Sequence, residues 1–477
     1  MTSDFLPTLL ANVWSVLLVA LFFGGSIFVH ELGHFLAARW RGAKVERFSI
    51  GFGPAIFSWR GRDGVEYRLA WFPLGGYVLL PQLADLGPIE GKSEVDVAQL
   101  PPVRYSTKMI VFAAGALFNV LFAFGLASII WVIGQPESNE TASTSIGYVS
   151  RTLELPGGVI VPSPASVAGL QVGDVIRAID GQPVAKFFDI YSLIGLGSGQ
   201  SADGDRQAVF SILRDGRVRD IVVHPLLVGE EKERRVGIAP GYELSVQQVM
   251  PGSLAARSGF QLGDILLRLD GQPVLSPYTC QDVLEASAQR PVEVRVKRDG
   301  RELTLTLPAR PRAKSGAAIG LAVGTGFTLT HPTPFAQIGE QVTMSFRTLW
   351  SLINPHSDIG ISKLTGPVGI VRIFHSAAEA GIRPVLMFTI LLNMSLAIFN
   401  LLPIPVLDGG QMLFATIGRL RGRALPVNFI LAANSVFIVL LLSMVIYVSI
   451  FDVRRLNRDR TEAAAPAVAP APAPAKP

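Results

Sequence analysis

Residues 5 to 34 read FLPTLLANVWSVLLVALFFGGSIFVHELGH, and this stretch decides what kind of protein the chain is. The run from Phe5 to Val29 carries no charge and exceeds the ~20 residues a helix needs to cross a bilayer. It ends in His30-Glu31-Leu32-Gly33-His34, a cluster of ionisable groups where an apolar span meets its first polar residues. Three further charge-free runs follow, Met109 to Ile133, Pro384 to Leu407 and Ala424 to Phe451. Four transmembrane helices are therefore expected, and a wholly soluble, disordered, collagen-like or disulfide-stapled chain is excluded. Over 477 residues only 17% are charged, against ~25% in soluble domains, and mean hydropathy is +0.41. The single cysteine, Cys280, leaves exported parts without an intramolecular disulfide. The first span reads as a retained helix, not a cleaved signal peptide, because it lacks a basic leader and runs directly into the polar cluster.

The net charge of +5 does not indicate nucleic acid, since the basic residues flank the spans. Residues 35 to 108 hold ten Lys/Arg and seven acids, and the turn after the third span adds Arg419, Arg421 and Arg423. Both loops are expected on the cytoplasmic side, which puts the N-terminus, the middle region and the C-terminus outside. Arg454, Arg455, Arg458 and Arg460 in the C-terminal tail argue the other way and are outweighed by the two loops.

Within the helix of the first span, His30 and His34 stand at i and i+4, on one face, so both imidazoles can reach one Zn2+. Glu31 is placed to take a proton from water held by that metal. Two unrelated histidines on an exposed helix would show the same spacing. Beside a membrane core, however, unpaired ionisable groups cost free energy unless they face an internal polar site. A catalytic zinc takes three protein ligands and leaves one position open. The third candidate is Asp408, in Asn400-Leu401-Leu402-Pro403-Ile404-Pro405-Val406-Leu407-Asp408-Gly409-Gly410. Spans one and three cross in the same direction, so their C-terminal ends share one membrane face. Pro403 and Pro405 must interrupt the helix, and the freed backbone groups are tolerable in a membrane only where they line a protein cavity. Asn400, eight residues before Asp408 and about two helical turns away, is a candidate hydrogen-bond donor to a scissile carbonyl or its oxyanion. Asn119 and Asn393 read only as polar contacts between spans, and His224, His331, His356 and His375 as ordinary surface residues.

Residues 134 to 382 have soluble composition and repeat themselves at an offset of 90: Gly169-Leu170-Gln171-Val172-Gly173-Asp174 returns as Gly259-Phe260-Gln261-Leu262-Gly263-Asp264, and Asp180-Gly181-Gln182-Pro183-Val184 as Asp270-Gly271-Gln272-Pro273-Val274. Alternating runs around Asp299-Gly300 mark a hairpin, so two tandem β-rich domains are expected. This pattern resembles PDZ domains of the bacterial protease type, which implies a groove that could take an extended peptide or serve only as a spacer. Ile338, Val342, Phe346, Leu349 and Ile353 recur at helical spacing, as in an amphipathic helix on the membrane surface or packed against protein.

Taken together, these motifs resemble the site-2 protease family of intramembrane zinc metalloproteases, most closely its bacterial regulator-of-sigma-E-protease branch. His30-Glu31-x-x-His34, the tandem repeats and Asn400-x-x-Pro403-x-Pro405-x-x-Asp408-Gly409 occur in the family's order. Gly51-Phe52-Gly53-Pro54 and Pro73-Leu74-Gly75-Gly76-Tyr77-Val78 match its re-entrant β-loop, which implies a membrane-associated hairpin over 51 to 80 offering an edge strand to an unwound substrate helix. Thr365-Gly366-Pro367-Val368-Gly369 looks like a family segment bracing the periplasmic part. Where the family usually reads A-G-P-x-x-N, this chain has Ala116 in place of the proline of Ala114-Gly115-Ala116-Leu117-Phe118-Asn119.

The resemblance implies a multi-pass protein of the bacterial inner membrane, with one Zn2+ on His30, His34 and Asp408, and Glu31 and Asn400 as catalytic residues. Its substrates would be single-span membrane proteins, anti-sigma factors or signal-peptide remnants, and its PDZ grooves could bind peptide. The expected organisation is residues 1–34 for the first span, 35–108 for the cytoplasmic or re-entrant loop region and 109–133 for the second span. PDZ-like domains then occupy 143–228 and 235–310, an amphipathic and bracing segment 334–383, the remaining spans 384–410 and 424–451, and an Ala/Pro tail 461–477. The rival reading is a membrane-anchored PDZ scaffold with a structural or degenerate metal site, which a closed fourth ligand would reveal. A secondary transporter fits poorly, since no inverted repeat of broken helices is visible.

Overall fold

The structure is a computed structural model that describes residues 5–83, 100–229, 231–287, 289–309, 319–360 and 363–464. The Ala/Pro tail beyond 464 and part of the first loop region, 84–99, lie outside the described residues. The chain divides into two compact units: Met1–Gly134, His331–Phe346 and Ile361–Pro477 form one, and Gln135–Thr330 with Arg347–Gly360 the other.

In the first unit, four helices are long and apolar enough to cross a membrane: Val16–Trp40, Tyr105–Ile133, Ile382–Asn400 and Val427–Arg458. Leu386, Ile390 and Met394 of the third pack against Ala123, Leu126, Ala127 and Ile130 of the second. A polar tie joins the third to the first, where Asn393 Nδ2 donates to Ser26 Oγ at 2.8 Å. Asn393 is thus the contact between spans that its position suggests. The expected third span, 384–410, is not one helix: it stops at Asn400, and a new helix starts at Asp408. Pro403 and Pro405 fall in the intervening turn, because proline can neither donate to the helical ladder nor clear the preceding carbonyl. The two-turn helical spacing read between Asn400 and Asp408 therefore does not exist.

Between the first two spans lie the strands Arg47–Arg60 and Glu66–Leu79. Gly61 N–H donates to Val65 O at 2.9 Å, and Gly64, at φ 80°, takes the left-handed turn position that glycine occupies without steric cost. The pair curls, so that four antiparallel segments lie side by side in the order 57–60, 66–69, 47–50, 76–79. One end packs into the core, where Phe48, Val78 and Leu80 join Phe35, Ala38, Val111 and Phe112. The other end exposes Ile56, Phe57, Trp59 and Trp71. The helix Pro334–Ile353 covers the expected amphipathic stretch; Ile338 and Val342 pack on the span core, while Phe346 and Ile353 are exposed.

The second unit holds two β-rich lobes with separate cores, one around Phe187, Phe210 and Ile212, the other around Leu244, Val294 and Val296. The order of elements recurs: strand Val175–Ile179 and helix Phe187–Gly195 in the first, strand Ile265–Leu269 and helix Pro277–Ala286 in the second. The repeated aspartate has the same task in both. Asp174 accepts from Gln171 N at 2.8 Å and from Arg214 at 2.6 Å, and Asp264 accepts from Gln261 N at 2.9 Å and from Arg298 at 2.6 Å. A buried carboxylate needs such partners, which explains why the motif ends in Asp. Asp358, beyond the amphipathic helix, accepts two hydrogen bonds from Arg206 at 2.8 Å and one from Arg234 at 2.5 Å. The Arg206 hydrogen bonds, with Arg234 adding to them against partial burial, pull its carboxyl down to about 2.

Candidate metal centre

The site is built where the first helix crosses the second at close range. A Cβ on Gly33 would lie 2.5 Å from the carbonyl oxygen of Ala114, so only glycine between the two histidines lets the helices meet. Facing it, a Cβ on Gly115 would lie 2.7 Å from His30 Cε1 and against His34 Nε2. The absent side chain leaves the space that both imidazoles fill. His34 Nδ1 sits 2.8 Å from Val111 O. A carbonyl only accepts, so Nδ1 carries the proton and Nε2 presents a lone pair. His30 Nε2 lies 3.1 Å from His34 Nε2, and both lie 3.4 Å from Asp408 Oδ2.

Asp408 reaches this point because of the interrupted third span. It is the first residue of the helix Asp408–Leu420, whose start packs so tightly on the turn before it that a Cβ at Gly409 or Gly410 would overlap the carbonyls of Leu401 or Ile404. Gln411 Nε2 donates to Pro405 O at 2.8 Å and closes the turn. The Pro405 carbonyl is thereby satisfied inside the protein.

The three donor atoms test whether the residues fit zinc. Bonds of about 2.0–2.1 Å in tetrahedral array place ligand atoms roughly 3.3 Å apart. The observed separations of 3.1, 3.4 and 3.4 Å match. Two nitrogens and a carboxylate oxygen converging on one point is a costly arrangement without a cation. Among the described residues, no fourth His, Cys, Asp or Glu joins His30, His34 and Asp408, which leaves a position open as catalytic zinc requires.

The three residues line a cavity of about 230 Å³ together with Glu31, Tyr77, Val78, Phe112, Asn400 and Gln411. Glu31 is buried, and Gly76 of the hairpin passes so near that a Cβ there would lie 2.8 Å from Glu31 Cγ. Asn400 Nδ2 is 3.5 Å from His30 Nε2, at the cavity wall. Of the remaining histidines, His331 faces the backbone carbonyl of Trp131 and His224 that of Arg206, and neither is among the converging donors. Sequence reasoning gave Asn119 no part in the site, yet its Nδ2 lies 3.3 Å from His30 Nδ1. Gly115, Gly76 and the Val111 carbonyl were also invisible as site makers, since each acts through empty space or backbone.

Gly115→Ala tests the packing directly. The added methyl displaces both imidazoles, and zinc affinity should fall about 10–100-fold, as when a ligand loses its orienting partner. Competition with a chelator reads this, and unchanged zinc affinity would mean that the imidazoles do not need the space.

The model described as Peptidase family M50 matches residues 18–444. The regulator of sigma E protease of Salmonella typhi is 28% identical over 480 residues, covering 92% of this chain and 99% of that protein. The regulator of sigma-E protease RseP of Escherichia coli is 28% identical over 482 residues, with the same shares. A putative zinc metalloprotease of Xylella fastidiosa is 30% identical over 461 residues, covering 91% and 96%.

Proposed function

The chain belongs to peptidase family M50 and is an intramembrane zinc metalloprotease, and from that premise we propose which residues do the work and on what. His30, His34 and Asp408 hold the zinc, and the observation that carries this assignment is the 3.1–3.4 Å triangle of their donor atoms at the wall of the cavity that Glu31 also lines. When bound, zinc supplies Lewis acidity, making a water easier to deprotonate and a peptide carbonyl easier to attack. Glu31 takes the proton of the attacking water and hands it to the departing amine. Asn400 offers its Nδ2 protons to the carbonyl oxygen as negative charge develops there.

The substrate is a transmembrane segment of a single-span protein. Its backbone is closed by helical hydrogen bonds and must unwind before a peptide bond can enter the cavity. The edge segment 76–79 offers backbone partners to such an extended stretch, with Tyr77 and Val78 in the cavity wall. The exposed aromatics at the far end of the hairpin suit contact with lipid. Since the relatives are named as regulators of sigma E, an anti-sigma-factor-like protein is the first substrate class to try, and signal-peptide remnants the second. The two lobes of the second unit are read as PDZ-like domains on the periplasmic side of the inner membrane, excluding bulky uncut substrates or recognising a newly exposed end. The active site then lies toward the cytoplasmic side, where basic loop residues gather.

In proteoliposomes, a single-span substrate carrying an anti-sigma-factor transmembrane segment should be cut within its apolar stretch. A membrane-permeant chelator should stop the reaction, and added Zn2+ should restore it. Cleavage confined to the water-exposed part, or indifferent to chelation, would overturn the reading.

A further inference from the structure

Asn119 is fully buried on the second membrane helix, its Nδ2 3.3 Å from His30 Nδ1 and its Oδ1 buried without a hydrogen-bond partner. The same helix presents Val111 O to the other histidine, and Val111, Gly115 and Asn119 follow one another at intervals of four, along one face. A neutral imidazole has one proton. If His30 is to offer Nε2 to a metal, that proton sits on Nδ1, and the group facing Nδ1 must accept it. With the amide Nδ2 facing Nδ1, the proton is driven to Nε2, into the centre beside Asp408 Oδ2. A half-turn about the Asn119 Cβ–Cγ bond brings Oδ1 to the same place and gives that orphaned acceptor a donor.

We propose that Asn119 is a positioning residue that selects the tautomer of His30, its carboxamide oxygen accepting the Nδ1 proton so that Nε2 is free to ligate. The proposal rests on His30, His34 and Asp408 being the metal ligands. Asparagine suits the position because its carboxamide carries an acceptor, Oδ1, that has no other hydrogen-bond partner. Outer-shell partners of this kind orient ligands and raise their basicity, and their loss costs about 10–100-fold in metal affinity.

The test uses the full-length protein in detergent micelles, with zinc affinity measured by chelator competition and the ligand-field spectrum recorded after Co2+ substitution. Asn119→Leu, near the same size without an acceptor, and Asn119→Ala, smaller and also without one, should each weaken zinc about 10–100-fold and alter the Co2+ spectrum. Asn119→Asp, which only accepts, should hold zinc at least as tightly as the wild type. Wild-type affinity in whichever of the Leu and Ala variants folds would overturn the proposal. So would an Asp variant as weak as those two, since the position would then be packing alone. His34→Ala keeps the two questions apart. If zinc persists there, the ligand assignment fails; if zinc is lost there but kept in Asn119→Leu or Asn119→Ala, only the role of Asn119 falls.

Discussion

Glu31→Gln keeps its zinc and stops cutting. Glutamine has almost the shape of glutamate, so it fills the space beside Gly76 that a larger residue could not share. Glu31 is not among the three converging donors, and zinc content should stay at one per chain. What disappears is the ability to take a proton from water and pass it to the leaving amine. A positioned general acid–base contributes about 10²–10⁴-fold, and here the same carboxylate serves both transfers, so cleavage should fall by at least that much. Turnover of a transmembrane substrate in proteoliposomes, with metal content measured on the same preparation, checks both halves. Full activity in the variant would remove Glu31 from the mechanism.

Asp408→Ala should lose both metal and activity. With the carboxylate gone, two imidazoles remain of the three ligands, and the negative charge that offsets the ion goes with it. The loss should exceed the roughly 10–100-fold of an outer-shell change, leaving the protein metal-free after dialysis against a mild chelator. The fold should survive, because the helix that begins at Asp408 starts without a side-chain cap and is seated by Gly409, Gly410 and Gln411. Asp408→Glu, which keeps the charge but lengthens the arm, should recover part of the zinc. Stoichiometric zinc in Asp408→Ala would mean that another residue is the third ligand.

Much of this was legible in the sequence, and the physical reasons are specific. His30 and His34 announce themselves because helical periodicity alone puts i and i+4 together, and Asp408 because counting crossings brings two span ends to one face. Prolines have a local effect, so the interruption after Asn400 could be foreseen, though the replacement of helical spacing by a compact turn could not. Asn119 and Gly115 were illegible because their meaning depends on which face of one helix meets another, and nothing in a single chain states that angle. The curled order of the hairpin was hidden for a related reason: segment 66–69 pairs on both sides, with 47–50 and with 57–60, and strand pattern alone cannot say which neighbour a strand takes. The repeated Asp174 and Asp264 were found as a pattern and explained only when Arg214 and Arg298 appeared opposite them.

The second membrane helix touches both histidines on the side away from the centre, at Val111 for one and Asn119 for the other. One rod therefore holds the back of both histidines. A helix advances about 1.5 Å and turns about 100° per residue, so a slip of one residue would take both contacts away together. Metal affinity then becomes a gauge of helix register.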